Sequence, residues 1–254
     1  MVNRHLNAAV ISITATMLLA LSLLTTNMNS ENNTTPIDSF SAYTQTKMPE
    51  LDYYKDYDSL HSNENVVVVY PIFTQSAYNW KGIHDYYAGY CNSCTNATIS
   101  NNYEKSYSAS GNGFRILEFL GYQVIDDIDI DKNPQILEKY DKVILLHNEF
   151  VTKKEYEAII HHPKVIYLYP NSLNSEIKTD YSKNTITLVR GPDYPQKGIK
   201  NGFDWKDDNT TYFHDWDCIN WKFYNAQNGY MLNCYPETML PNNGSDLLKA
   251  IKNL

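Results

Sequence analysis

Four apolar runs, each bounded by turn-forming residues, alternate with stretches whose apolar positions recur at helical spacing. NVVVVYPIF (65–73) carries no charge and is rich in Val, as a strand buried on both faces should be. GYQVID (121–126), DKVILLH (141–147) and PKVIYLY (163–169) follow it. In GNGFRILEFL, ahead of the second run, Phe114, Leu117, Phe119 and Leu120 predict a helix packed on a sheet and ended by Gly121 as C-cap. NPQILEKY, ahead of the third, predicts a helix with Asn133 as N-cap and Pro134 in its first turn. VTKKEYEAIIHH, ahead of the fourth, places Thr152 and Glu155 at capping-box spacing. Strands alternating with helices predict an α/β fold: right-handed crossovers and a doubly wound, mostly parallel sheet. NTITLV (184–189) predicts a fifth strand, and beyond Arg190 come aromatic loops, a hairpin turning near Asn228 and Gly229, and a last helix from Ser245.

The N-terminal pattern differs. AAVISITATMLLALSLL (8–24) is an apolar stretch behind Arg4 and His5, so residues 1–29 predict a signal peptide or, if uncleaved, an N-terminal membrane anchor. The Asn-, Thr- and Ser-rich stretch that follows cannot bury enough apolar area to order itself, which predicts a polar linker over 30–50 and a single domain over 51–254. The expected location is extracellular or at the cell surface. Sequons at Asn32, Asn33, Asn96, Asn209 and Asn243 fit an exported, glycosylated chain. Four cysteines, an even number, predict disulfides in that setting. Cys218 and Cys234 flank the hairpin and would staple it. Cys91 and Cys94 form a lone C-x-x-C, which is short of the four ligands zinc wants and reads as a local disulfide, with pairing to Cys218 or Cys234 also open. The net charge of −8, with scattered Lys and Arg, excludes a nucleic-acid footprint.

In open parallel sheets, ligands bind beyond the carboxyl ends of the strands where strand order reverses. In a flavodoxin-like order that crevice lies between the first and third strands. The loop expected after the first is FTQSAYNWKGIHDYY (73–87), and the third is followed at once by His147, Asn148 and Glu149. Two simpler roles stand beside a catalytic one: His147 bonded to a backbone carbonyl, and Glu149 placed to favour the dipole of the next helix. No G-x-S-x-G elbow is present and no cysteine follows the third strand, which counts against serine-hydrolase and glutaminase chemistry.

The ordered set T-Q-S-A-Y-N-W-K-G (74–82), D-D-I-D-I (126–130), Y-D-K-V-I-L-L-H-N-E-F-V-T (140–152) and K-V-I-Y-L-Y-P-N-S (164–172) resembles the C-terminal domain of the large subunit of N,N-dimethylformamidase and its relatives. That family carries A-Y-N with a following W-G-G, a D-x-D-L segment, H-D-E-Y-W after a strand, and an apolar strand ending in G-x-N. The resemblance spans about residues 65–175 and implies a class I glutamine-amidotransferase-like α/β fold. It also implies hydrolysis of a small amide at a mononuclear iron held by two tyrosines and a glutamate. Glu149 matches the glutamate of H-D-E and Tyr78 the tyrosine of A-Y-N. S-N-N-Y (100–103) is similar to the family's S-x-R-P-Y and nominates Tyr103 as the second tyrosine, with Tyr87 as the alternative. His147 becomes the proton-transfer group, and His84 and His214 are spare candidates. The chain departs from the pattern at Phe150, Val151 and Lys81.

Two functions are therefore expected. One is an exported, metal-dependent hydrolase of small amides or other C–N bonds. The other is a non-catalytic surface protein on the same fold, binding a glycan or peptide through Trp205, Trp216 and Trp221. The partner is a small molecule or a cell-surface component, and the membrane itself if the N-terminal segment is retained.

Overall fold

After a short helix α1 (Tyr57–Leu60), Val66–Tyr70 forms β1, which is buried along its whole length, and the reason is visible in its neighbours. It pairs in parallel with β3 (Gln123–Asp126) on one side and β4 (Lys142–Leu145) on the other, so both faces must be covered by apolar layers. Val66, Val68 and Tyr70 pack with Phe114, Leu117 and Ile144 on one face, while Val67 and Val69 pack with Ile130, Val143 and Ile159 on the other. The alternation follows from the two-residue period of a strand. β6 (Val165–Tyr167) continues the parallel array beside β4.

The computed structural model describes residues 55–62, 64–100, 102–207 and 215–254. The predicted signal or anchor, the linker, the sequons at Asn32, Asn33 and Asn209, and His214 lie outside the described residues. Among the described residues, no helix is long and apolar enough to cross a membrane.

The main sheet has six strands in the order β3-β1-β4-β6-β10-β9, mostly parallel and flanked by helices. The hairpin of β9 (Phe223–Ala226) and β10 (Gly229–Leu232) supplies the last two, with β10 parallel to β6 and antiparallel to β9. Gly229 sits where an added Cβ would lie 1.8 Å from the Val165 carbonyl oxygen, so only glycine lets the hairpin close on the sheet. Cys218 pairs with Cys234 across the hairpin's base, and Cys91 with Cys94.

Four expectations need correction. The run at 65–73 is strand only to Tyr70. Pro71 has no N–H for the ladder, and the chain turns there into helix α2 (Ile72–Tyr78), which buries Ile72, Phe73 and Ala77. The loop expected over 73–87 is thus α2, a turn in which Lys81 has φ 60°, and helix α3 (Ile83–Tyr87). The strand at 184–189 is β8 (Thr185–Arg190), but it joins a second sheet of order β2-β8-β7-β5, made with β2 (Asn96–Thr98), β7 (Ser175–Asp180) and β5 (Phe150–Thr152). Asn133 makes no side-chain cap, and the segment after it, Pro134–Lys139, is a 3₁₀ helix.

Other local signals are found in place. The helix over Gly111–Phe119, α4, is followed by Gly121 at φ +81°. Between β3 and the 3₁₀ helix lies α5 (Asp127–Lys132), and after β5 comes α6 (Lys153–His161), capped by the reciprocal Thr152 and Glu155 bonds. Next are short α7 (Leu240–Asn243) and α8 (Ser245–Asn253). Lys142, buried on β4, donates to the carbonyls of Ile251 and Lys252 at the end of α8, fastening that helix to the sheet.

At the start of α4, the fully buried Glu237 accepts from the N–H groups of Asn112 (2.9 Å) and Gly113 (3.0 Å) and from the Tyr169 hydroxyl (2.6 Å). One carboxylate thus satisfies helix donors that have no partner within the helix. Glu237→Ala would leave those donors buried and unpaired, and is expected to lower the unfolding free energy by about 3 kcal/mol. Urea denaturation measures it, and a loss under about 1 kcal/mol would show that the contact is not structural.

Candidate functional site

Beyond β4 the chain carries three polar residues, His147, Asn148 and Glu149, into a buried position between the two sheets' connecting segments. Burial obliges each backbone group there to find a partner. The His147 N–H donates to Ser110 Oγ (2.7 Å), the N-cap of α4, whose left-handed backbone turns the hydroxyl inward. The N–H groups of Glu149 and Phe150 share Thr74 Oγ1 of α2 at 3.0 and 3.2 Å. The carbonyls of Asn148 and Glu149 accept from Leu173 and Ser175, which starts β5–β7 pairing. Three elements therefore fix the segment.

That fixation brings Tyr78 and Glu149 together. Tyr78, the last residue of α2, donates its hydroxyl to Glu149 Oε2 at 2.9 Å. The same oxygen lies 3.4 Å from His147 Nε2. Burial, reinforced by the charge of Glu149, holds the Tyr78 phenol well above its ordinary pKa, so in this state it is a neutral donor. His147 Nδ1 lies 2.6 Å from the Ser108 carbonyl, which can only accept, so the ring proton sits on Nδ1. Nε2 is then the basic atom, and it takes a bond from Asn171 Nδ2 at 2.8 Å. Tyr169 stacks on the imidazole and Tyr235 meets it edge-on. His84 stacks on Tyr78 with ring centroids 4.2 Å apart, and burial holds its pKa below the usual histidine value.

Beneath this layer lies a buried acid pair. Asp127, at the start of α5, accepts from Asn148 Nδ2 (2.5 Å) and from the Phe73 N–H (2.7 Å). Its carboxyl also faces that of Glu155, the capping-box residue of α6, whose Oε1 has no other partner among the described residues. Both are fully buried. Two carboxyls can share one bond only if one keeps its proton. Burial pushes Asp127 up to about 7, against its hydrogen bonds, and burial together with the charge of Asp127 raises Glu155 well above the usual carboxylate range.

Of the residues nominated from the sequence, Tyr78, Glu149 and His147 converge. Tyr103 does not join them: it donates to Asp126 at the end of β3 (3.1 Å) and packs on Tyr70 and Phe114. Tyr87 is nearer, its hydroxyl 3.4 Å from Ser175 Oγ and its pKa raised by burial and, to a smaller extent, by Glu149. The three tryptophans differ in exposure, and Trp216 is the exposed one. Trp205 is 6% exposed in the core, Trp216 packs on Tyr235 and Tyr107, and Trp221 packs beside Phe223. Sequence reasoning missed Thr74, Ser110, Asp127, Glu155 and Tyr235 as supports. Thr74 and Asp127 lie within quoted motifs, but only the fold shows what they touch.

Among the described residues, no group of three or more His, Cys, Asp and Glu could hold a metal ion. The donors suited to a hard cation are instead the Tyr78 and Glu149 oxygens, and their separation of 2.9 Å matches two adjacent ligands of one octahedral ion at ~2.1 Å. His147 Nε2 stands beside them. The pair fits such an ion; Tyr103 as third ligand does not fit.

The acid pair yields a pH prediction. Between about pH 4 and 7 the folded protein holds a proton that the unfolded chain has released, so the unfolding free energy falls as pH rises through that window. In Glu155→Gln the amide nitrogen can donate to Asp127 while its oxygen still serves the Thr152 N–H, and no shared proton is needed. The variant is expected to lose stability less steeply from pH 4 to 7 and to exceed the wild type at pH 7. Thermal denaturation across the range measures this, and parallel profiles would contradict it.

No protein-family model matches this chain, and no curated protein matches it.

Proposed function

We propose that the chain is an exported hydrolase of small amides or other C–N bonds that works with a bound hard cation, iron being the candidate, on a flavodoxin-like or glutamine-amidotransferase-like fold. The observation that carries this reading is the Tyr78–Glu149 contact of 2.9 Å beside His147 Nε2, beyond the carboxyl ends of the neighbouring strands β1 and β4. Strand order β3-β1-β4-β6 supports the fold assignment, and the two disulfide pairs suit an oxidising, extracellular setting.

Tyr78 and Glu149 would hold the cation, whose charge would polarise an amide carbonyl and lower the pKa of water. The remaining roles fall to the chain's own side chains. Ser108 keeps the His147 proton on Nδ1, so Nε2 is free of a proton and able to accept one from the attacking water. Nε2 can then return the proton to the leaving nitrogen. Asn171 holds the ring through Nε2 in the resting state and releases that nitrogen when it takes the proton, and the stacked Tyr169 restricts the ring's tilt. His84, held neutral by burial, fixes the Tyr78 ring without adding charge.

The test is ferric loading of the purified protein. Phenolate bound to ferric ion gives a visible charge-transfer band, so the wild type should colour. Tyr78→Phe should lose the band, Glu149→Ala should lose both band and bound metal, and Tyr103→Phe should keep both because Tyr103 serves Asp126. His147→Gln should retain metal and lower amide hydrolysis by about 10²-fold or more. A wild type that takes up no metal, or a band lost in Tyr103→Phe and kept in Tyr78→Phe, would overturn the assignment.

A further inference from the structure

A groove of about 950 Å³ lies beside the end of β8, lined by Arg190 and by residues 197–201 and 204–206. Among the described residues its lining is cationic in a protein of net charge −8: Arg190, Lys197, Lys200 and Lys206, against the single acid Asp204. Asp204 is already used. Arg190 places one guanidinium nitrogen 2.6 Å from its carboxylate and another 2.9 Å from the Gly202 carbonyl. The flanking acids are also occupied, Asp193 by the Gly198 N–H and Asp207 by the Gln227 N–H. None of the three lysines makes an ion pair among the described residues.

We infer that this groove binds a chain carrying several oxyanions, of the chemistry of a sulfated polysaccharide. The lysines are exposed and spread along a loop rather than converging on one buried point, so each contact with an oxyanion is weak by itself. Affinity must then come from several charges engaged together, which a single small anion cannot do. A nucleic acid also presents repeated anions, but its single strands need exposed rings for base stacking, and among the described residues the one aromatic lining the groove, Trp205, is buried in the core. The groove is built from other residues than Tyr78, Glu149 and His147, and a ligand there would hold the protein at a glycan-coated surface whatever the chemistry of that site.

Calorimetric titration of the full chain with heparin oligosaccharide, inorganic sulfate and single-stranded DNA tests the inference. Lys197→Ser/Lys200→Ser removes two exposed charges, and Lys153→Ser/Lys183→Ser is the control with the same net charge. Heparin should bind the wild type and the control alike at physiological salt, and the groove variant at least 10-fold more weakly. The dependence of log affinity on log salt should flatten by about two in the groove variant. Equal affinity of the two double variants, DNA binding as tight as heparin, or full displacement of heparin by a few equivalents of sulfate would each overturn the proposal.

Discussion

A polar segment buried inside an apolar framework is the constraint around which this structure is arranged. His147, Asn148 and Glu149 leave β4 at a depth where water cannot satisfy them, so every backbone group and most side-chain atoms need partners from elsewhere in the chain. Ser110, Thr74, Asp127 and the 173–175 strand entry supply them. Each partner comes from a different element, and so α2, α4, α5 and the second sheet are held in one relative arrangement by the same three residues. An interior made of Val and Ile alone would bury β4 as well but would leave these elements less uniquely placed.

The same burial sets the chemistry. Apolar surroundings raise the Tyr78 phenol and lower His84, leaving both neutral, while the Ser108 carbonyl assigns the His147 proton to Nδ1. Glu149 therefore lies between a neutral donor and a basic nitrogen. That is an arrangement able to hold a hard cation and to move a proton. Below it, Asp127 and Glu155 keep one proton between them to satisfy Asn148 and Phe73 without two buried negative charges side by side. The support of the site thus carries an electrostatic cost of its own, in keeping with the way functional regions trade stability for placement.

Much of the main sheet was legible because its signals are local. A charge-free Val run, Gly after a helix and Thr152 three residues before Glu155 each carry their structural meaning within a few positions, and β1, α4 and α6 appear where those signals predict. Strand β7 was not legible: SEIKTD is polar and only alternately buried, and it exists because β5 and β8 offer ladder bonds on both sides. For the site, the adjacency of the first and third strands placed Tyr78 and Glu149 near one another, and the contact exists. Tyr103 was nominated on a short, degenerate match, and the fold instead gives it Asp126. Glu155 shows the limit most plainly. Its capping role reads from sequence, whereas its meeting with Asp127, 28 positions away, depends on how α5 and α6 pack.

The central claim is that Tyr78 and Glu149 act as one interacting unit, and a double-mutant cycle in unfolding free energy, Tyr78→Phe with Glu149→Gln, measures it most directly in the metal-free protein. A hydrogen bond to a carboxylate in a buried setting predicts a coupling energy of about 1–3 kcal/mol between the two substitutions. A coupling within about 0.3 kcal/mol of zero would mean that the two side chains do not meet in solution, and would contradict the account.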